Sequence, residues 1–237
     1  MRNELHSSFI LHRRPYRDTS LIIDLFTLEY GRISLVARGA RSKKTTLSGL
    51  YQSFIPLLVS WFGRGELQTL QKIEPAGTAF NLTGKSLYSG FYINELIMRL
   101  VHRNDPHSVL FNNYFDTLKN LQTNLNVEAL LRNFEKCLLQ EIGYGLLLEY
   151  DVNTGEKIDN KEHYLYQFEH GPVRVADRKQ TGMIVSGKTL NSILNERYDD
   201  AQSLAEAKQL MRREIANHLG NKPLKSRDLY IQQQNVL

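Results

Sequence analysis

The chain has 237 residues, 41% apolar and 23% charged, which is enough for a packed core and argues against wholesale disorder. Thirty Lys and Arg against 25 Asp and Glu leave a mild +5, and a single cysteine excludes an internal disulfide framework or a multi-cysteine zinc centre. The longest nearly uncharged apolar run, Phe54 to Phe62, is far short of the roughly 20 residues of a membrane span, and Met1 to His6 lead into no signal-type apolar core, so a cytoplasmic location is expected.

Residues 9 to 74 read as β structure. Phe9-Ile10-Leu11 opens a strand that Arg13-Arg14-Pro15 is expected to end, because proline removes a ladder donor. Leu21 to Phe26 is a second run rich in branched residues. After a turn at Tyr30-Gly31, Ile33, Leu35 and Ala37 alternate with Ser34, Val36 and Arg38. A basic loop from Arg38 to Lys44 follows. Phe54 to Phe62 and Glu66 to Glu74 then read as a hairpin about Gly63-Arg64-Gly65, with glycine supplying the positive φ of the turn. Five short strands of this kind predict a five-stranded OB-fold barrel over residues 1–80.

From Ser86 the period becomes helical. Tyr88, Tyr92, Leu96 and Leu100 form one stripe, and Asp105-Pro106 is an expected helix start. Asn126 is placed to cap a helix that buries Val127, Leu130, Leu131, Phe134, Leu138 and Ile142 and closes at Gly143. Residues 150–187 are polar and irregular, with strand-like pieces at Tyr164 to Phe168 and Val173 to Ala176. A last helix starts after Asp199-Asp200 and runs through Leu204, Ala207, Met211 and Ile215 to Gly220. The expected architecture is α+β and multidomain, an OB-fold barrel over 1–80 followed by a helical domain over 81–237 that carries the irregular insertion.

Two stretches imitate a phosphate-binding loop. Gly182 to Thr189 matches G-x-x-x-x-G-K-[ST] letter for letter, and Ala79 to Ser86 matches its looser form. A working loop wraps backbone N–H groups around phosphates and favours small interior residues, whereas Met183-Ile184-Val185 reads as a buried strand. No apolar strand ending in a metal-binding Asp follows. The segment is therefore read as a strand-to-helix corner, with an ATPase as the alternative. His163 and His170 have no cysteine nearby for zinc. Asp151, Glu156, Asp159 and Glu162 form an acidic loop of the solvated kind, with a nuclease metal site as the less favoured reading. Cys137 lies in a helical pattern and reads as a packed side chain rather than a nucleophile. The chain is expected to be no enzyme and to hold no cofactor or metal.

The charge is unevenly spread. Residues 1–85 hold twelve cations and six acids, residues 86–170 seven and twelve, residues 171–237 eleven and seven. Arg13, Arg14, Tyr16 and Arg17 precede one strand, Arg38, Arg41, Lys43 and Lys44 fill the loop after another, and Arg64 sits in the Gly-Arg-Gly turn. Singly these are solvated cations. Together on one small barrel they predict a surface that tracks a phosphate backbone, with Tyr16 or Trp61 available to stack a base. A non-DNA-binding adaptor is the other alternative.

The same residues resemble the RecO family of bacterial DNA repair and recombination mediators. The likeness runs through Phe9 to Tyr16, Asp18-Thr-Ser-Leu21, Gly31-Arg32, Val36 to Lys43, Gly63 to Glu66, Leu87 to Leu96, Arg132 to Glu135, Gly143-Tyr144-Gly145, His218 to Gly220 and Lys222 to Leu229. It implies binding of single- and double-stranded DNA, annealing of complementary strands, and joint action with SSB and RecR in loading RecA, in a nucleoid-associated protein. Some members carry a four-cysteine zinc site after the helix ending near Gly143, but Tyr144 to Lys188 contains no cysteine here. In that frame the barrel cations and the basic tail (Lys208, Arg212, Arg213, Lys222, Lys225, Arg227) are expected to meet DNA. Arg132, beside Leu131 and Phe134, is expected to take the acidic C-terminal tail of SSB, against the simpler reading that it pairs with Glu128 or Glu135 on its own helix.

Overall fold

The computed structural model describes residues 4–43, 46–123, 125–175, 181–220 and 222–228. They form two compact units, one built from the residues up to 123 together with 224–228, the other from 125–223.

In the first unit, β1 (His6–Tyr16), β2 (Ser20–Thr27), β3 (Gly31–Ala37), β4 (Leu57–Phe62) and β5 (Leu67–Pro75) close into a barrel in the order β1-β2-β3-β5-β4. Every neighbouring pair is antiparallel except β3 and β5. This is the OB-like barrel expected from the strand pattern. Ile10, Ile23, Leu25, Leu35, Leu57 and Val59 fill its interior and are essentially inaccessible to solvent. Gly31 opens β3 with φ +63°, and a Cβ there would lie 1.9 Å from the Asp105 carbonyl oxygen, so only glycine fits both the turn and the approach.

Pro15 does not end β1. The strand continues to Tyr16, with Pro15 opposite Leu21, because β4 pairs only with His6 to Ser8 and leaves the far half of β1 as an edge. A bulge at Ile10/His12 bends β1 and takes the Leu11 carbonyl out of the ladder. That carbonyl accepts a bond from Asn94 Nδ2 at 3.0 Å, and Tyr114 donates to Asn94 Oδ1 at 2.6 Å.

Asn94 lies on α1 (Gly84–Leu100) and Tyr114 on α2 (Ser108–Leu121), and both helices belong to the barrel's unit. Phe9 and Phe26, on the outer face of the sheet, pack on Phe111 and Tyr114 in a second, aromatic core. With helices on one face and the barrel core on the other, all of β2 is buried, which hides its alternation. The face α1 buries is Ser86, Ser89, Gly90, Ile93, Asn94, Leu96 and Ile97, which shares only Leu96 with the expected Tyr88-Tyr92-Leu96-Leu100 stripe; the other three are half-buried. The helix is turned by its polar anchor, which hydropathy does not weigh. The second helix also starts later than Asp105-Pro106, at Ser108. The Asn104 N–H donates to the Arg32 carbonyl and Asp105 packs on Gly31, so this stretch is held against the barrel.

The second unit holds α3 (Val127–Glu141), a three-stranded antiparallel sheet, α4 (Gly187–Asn195) and α5 (Ala201–Leu219). The sheet, ordered β7-β6-β8, uses β6 (His163–Gln167), β7 (Gly171–Arg174) and β8 (Met183–Ser186). β7 begins two residues before the expected Val173, and Ala176 lies outside the described residues. Asn126 precedes α3 with φ 50° and makes no side-chain cap bond, whereas α5 starts after Asp199-Asp200 as expected and the Asp200 side chain caps it by accepting from the Ser203 N–H. Among the described residues, no helix is long and apolar enough to cross a membrane.

Candidate nucleic-acid interface

Beyond Leu11 the β1–β2 hairpin outruns β4, and the β3–β4 loop folds alongside it. A 3-10 turn (Ser48–Leu50) and Tyr51 carry that loop past Arg13, whose guanidinium donates to the Tyr51 carbonyl at 2.5 Å. Hairpin and loop leave between them a groove of about 410 Å³ lined by Arg13, Arg14, Pro15, Leu21, Ala40, Arg41, Ser48 and Tyr51. Three of the cations singled out in the sequence, Arg13, Arg14 and Arg41, thus meet in one groove although 27 and 28 residues separate Arg41 from Arg14 and Arg13 in the chain.

Arg41 holds the groove together. It donates to the carbonyls of Arg17 at 2.9 Å and Asp18 at 2.8 Å, and its own N–H bonds the Thr19 carbonyl, which pins the loop to the hairpin turn. The Arg17 guanidinium lies 5.2 Å over the Tyr16 ring. Arg38 and Lys43, on the loop that leaves β3, are exposed, and Lys44 lies outside the described residues. Burial raises the Tyr51 hydroxyl pKa, so Tyr51 lines the groove as a neutral group.

The remaining sequence candidates sit elsewhere. β5 enters the sheet beside Ser34, which puts the preceding turn and its exposed Arg64 toward the β2–β3 end of the barrel, away from Arg38. Trp61 packs on His6 at 5.0 Å and Tyr30 at 5.3 Å against the core, so the ring proposed for stacking is structural. Lys225 and Arg227 are exposed on a helical turn at 225–228. The backbone N–H groups of Lys225 and Ser226 donate to the Glu95 carboxylate at 2.9 and 2.8 Å, and the Ser226 hydroxyl at 2.6 Å. In the second unit Lys222, Arg212 and Arg213 are exposed, while Lys208 pairs with Glu128 at 3.1 Å.

Arg132 is only 6% exposed, and its Nε donates to Glu135 at 2.6 Å while Nη2 bonds the other carboxylate oxygen of the same residue. Phe134 is fully buried and Leu131 half-buried, so the three do not form the open groove that the sequence reading placed there. The sequence gives no sign of Tyr198, whose buried hydroxyl oxygen has no hydrogen-bond partner among the described residues. Burial raises its pKa, Arg132 opposes that, and Glu135 and Glu196 add to it, which places the hydroxyl in the field of the ion pair.

The phosphate-loop imitation is a strand. Met183 to Ser186 pair with β6, and a Cβ on Gly187 would lie 1.9 Å from the Asp159 carbonyl oxygen, which leaves no cradle there. Lys188 pairs with Asp200 at 3.0 Å, and Thr189, Ser186 and the Ser186 N–H all donate to the Glu206 carboxylate. Burial raises the Glu206 pKa, but these donors outweigh it and hold the carboxyl below its ordinary value. Asp151 is kept low in the same way, since the N–H groups of Arg174, Thr154 and Asn153 outweigh its burial. The acidic loop is thereby knit into the fold around Asp151.

A closed five-stranded barrel with a cationic groove at one rim places the chain among OB-type proteins. Family models described as recombination protein O N terminal and C terminal match residues 1–79 and 82–228, and the chain belongs to the RecO family. It is 46% identical to the DNA repair protein RecO of Nitrosococcus oceani over 97% of this chain and 93% of that protein. Against the proteins of that name from Methylococcus capsulatus and Coxiella burnetii it is 45% and 43% identical, over 95% of this chain and 92% and 96% of theirs.

Proposed function

We propose that the chain is a DNA repair and recombination mediator that binds single- and double-stranded DNA through the barrel groove and anneals complementary strands. The observation that carries this reading is the convergence of Arg13, Arg14 and Arg41 on one groove, with Arg38 and Lys43 on the loop that walls it. Annealing needs no bond chemistry. Two phosphate backbones repel each other, and a cationic surface that displaces their counterions holds them near one another while bases find register. The family likeness adds SSB and RecR as partners and RecA as the protein loaded. Contact with about six phosphates lowers affinity by about a thousandfold between 50 and 200 mM salt. A flat salt titration with either DNA form would sink the proposal.

A second, separable reading concerns the SSB tail. The orphan Tyr198 hydroxyl beside the Arg132–Glu135 pair supports it, because a carboxylate arriving there finds a guanidinium and an unused donor. Arg132 has to turn from Glu135 toward the tail for this to happen. Tyr198→Phe then weakens binding of a tail peptide while bare single-stranded DNA binds as before; unchanged peptide affinity would refute it.

A further inference from the structure

In the second unit, α5 carries a carboxylate that the fold leaves unpaired. Glu214 is 6% exposed, and among the described residues its side chain makes no hydrogen bond or ion pair. The other buried carboxylates described in this unit are satisfied. Glu135 accepts from Arg132, and Asp151 accepts from the backbone N–H groups of Asn153, Thr154 and Arg174. Burial raises the Glu214 pKa, the adjacent and exposed Arg213 opposes that, and Glu169 adds to it. The group thus bears the cost of lost water with no donor to offset it. Buried polar groups are normally bonded, and an exception calls for a partner. Neither carboxylate oxygen is fully sealed from solvent, so a partner can reach them.

The surroundings of Glu214 are aromatic and acidic. His218 lies one turn further along the same face of α5. Its ring lies against Tyr144, with centroids 4.0 Å and planes 35° apart, and meets Phe168 at 5.4 Å. Tyr144 is 49% exposed, so this aromatic wall opens to solvent. Phe168 and Glu169 sit in the β6–β7 turn, which the His170 N–H closes on the Gln167 carbonyl at 3.1 Å. Glu169 is exposed, and its charge reaches both Glu214 and His218. Tyr166, buried on β6, closes the inner side, since burial and then the charge of Glu214 raise its hydroxyl pKa. Burial lowers the His218 pKa and Glu169 opposes that, so at neutral pH the imidazole offers a ring face and no positive charge.

We propose that Glu214 and Glu169, walled by Tyr144, Phe168 and His218, form a recognition site for an arginine side chain presented by another protein. A guanidinium is planar and weakly hydrated, so it can lie on an aromatic face while its edge donates to a carboxylate. An ammonium is a compact, strongly hydrated charge and loses more on entering such a wall. A neutral side chain leaves Glu214 as costly as before, and the two carboxylates repel a nucleic-acid backbone. The site is built within the second unit and does not depend on the DNA-binding reading.

The test is an amide NMR titration of the full chain with the blocked tripeptide glycyl-arginyl-glycine and with its citrulline and lysine counterparts. The arginine peptide shifts the amides of Phe168, Glu169 and His218 saturably, and binds about tenfold more tightly than citrulline, which keeps the shape without the charge. Glu214→Gln weakens the arginine peptide by about tenfold and raises the urea midpoint, because a buried charge without a partner is gone. Glu169→Gln, in an exposed turn, weakens it by about threefold. Arginine and citrulline binding alike, or lysine binding as tightly as arginine, overturns the assignment. So does an unchanged arginine affinity in Glu214→Gln, or the absence of saturable shifts in the unaltered protein.

Discussion

The groove arginines of the barrel unit and Arg132 of the second unit are placed in opposite ways. In the barrel unit, Arg13, Arg14 and Arg38 stand exposed on strand ends and a loop, and Arg41 donates to the carbonyls of Arg17 and Asp18, so among the described residues no carboxylate is seen to neutralise these cations. In the second unit Arg132 is folded in against Glu135, a carboxylate that is itself 1% exposed. Exposed cations add little to stability and are available to a polyanion, whereas a buried pair holds the fold and presents little charge. The difference shows that a cation in a family motif says nothing about its task until its burial is known.

The sharpest way to break this contrast is charge reversal at the groove. Arg13→Glu, Arg14→Glu, Arg38→Glu and Lys43→Glu together cost about a thousandfold in DNA affinity at 50 mM salt while the urea midpoint stays put. Unchanged affinity in that folded variant moves the site off the groove. Truncation in the other unit has the reverse signature. Arg132→Ala strands a buried carboxylate and costs about 3–5 kcal/mol in urea unfolding, with DNA affinity retained. Replacing both partners, Arg132→Met with Glu135→Leu, recovers most of that loss, and a double variant as unstable as the single one shows that the pair is not what Arg132 contributes.

Smaller effects sharpen the same division. Thr189→Val removes the hydroxyl that binds Glu206 at 2.7 Å and lowers stability by about 1–3 kcal/mol without altering DNA affinity. Asp200 gives the smallest effect. The N–H and hydroxyl of Ser203, with Lys188, hold its carboxyl at about 2 against an ordinary 3.8. Its stabilisation is therefore complete above the ordinary value and is lost as pH falls through about 2. In Asp200→Asn, melting curves taken from pH 5 to pH 2 lose that part of the acid dependence. A slope identical to that of the unaltered protein assigns the acid sensitivity to other carboxyls.

What was legible in the sequence was whatever local chemistry enforces. The Gly63-Arg64-Gly65 hairpin, the Tyr30-Gly31 turn, the Asp200 cap and the corner at Gly187 each follow from φ demands or side-chain bonds within a few residues. The groove was legible only as a list of cations, because it is the long arm of β1–β2 that brings Arg13 to the β3–β4 loop. The buried face of α1 was misjudged for a similar reason. Asn94 is polar, and its partner is a carbonyl that a bulge in a strand 83 residues away sets free. Trp61 and Phe62 are adjacent aromatics with opposite fates, because Trp61 follows Leu57 and Val59 into the core by strand alternation and Phe62 faces out.

The clasp between Glu95 and Ser226 means that the barrel unit is not a continuous piece of chain. A ribosome makes the barrel, α1 and α2 first, then the whole second unit, and only then residues 224–228. Until these arrive, the Glu95 carboxylate has nothing from the tail to accept, and the unit is one helical turn short of complete. The second unit is thus made and folded as an insertion within the first, and the barrel unit is finished by the last described residues to be synthesised.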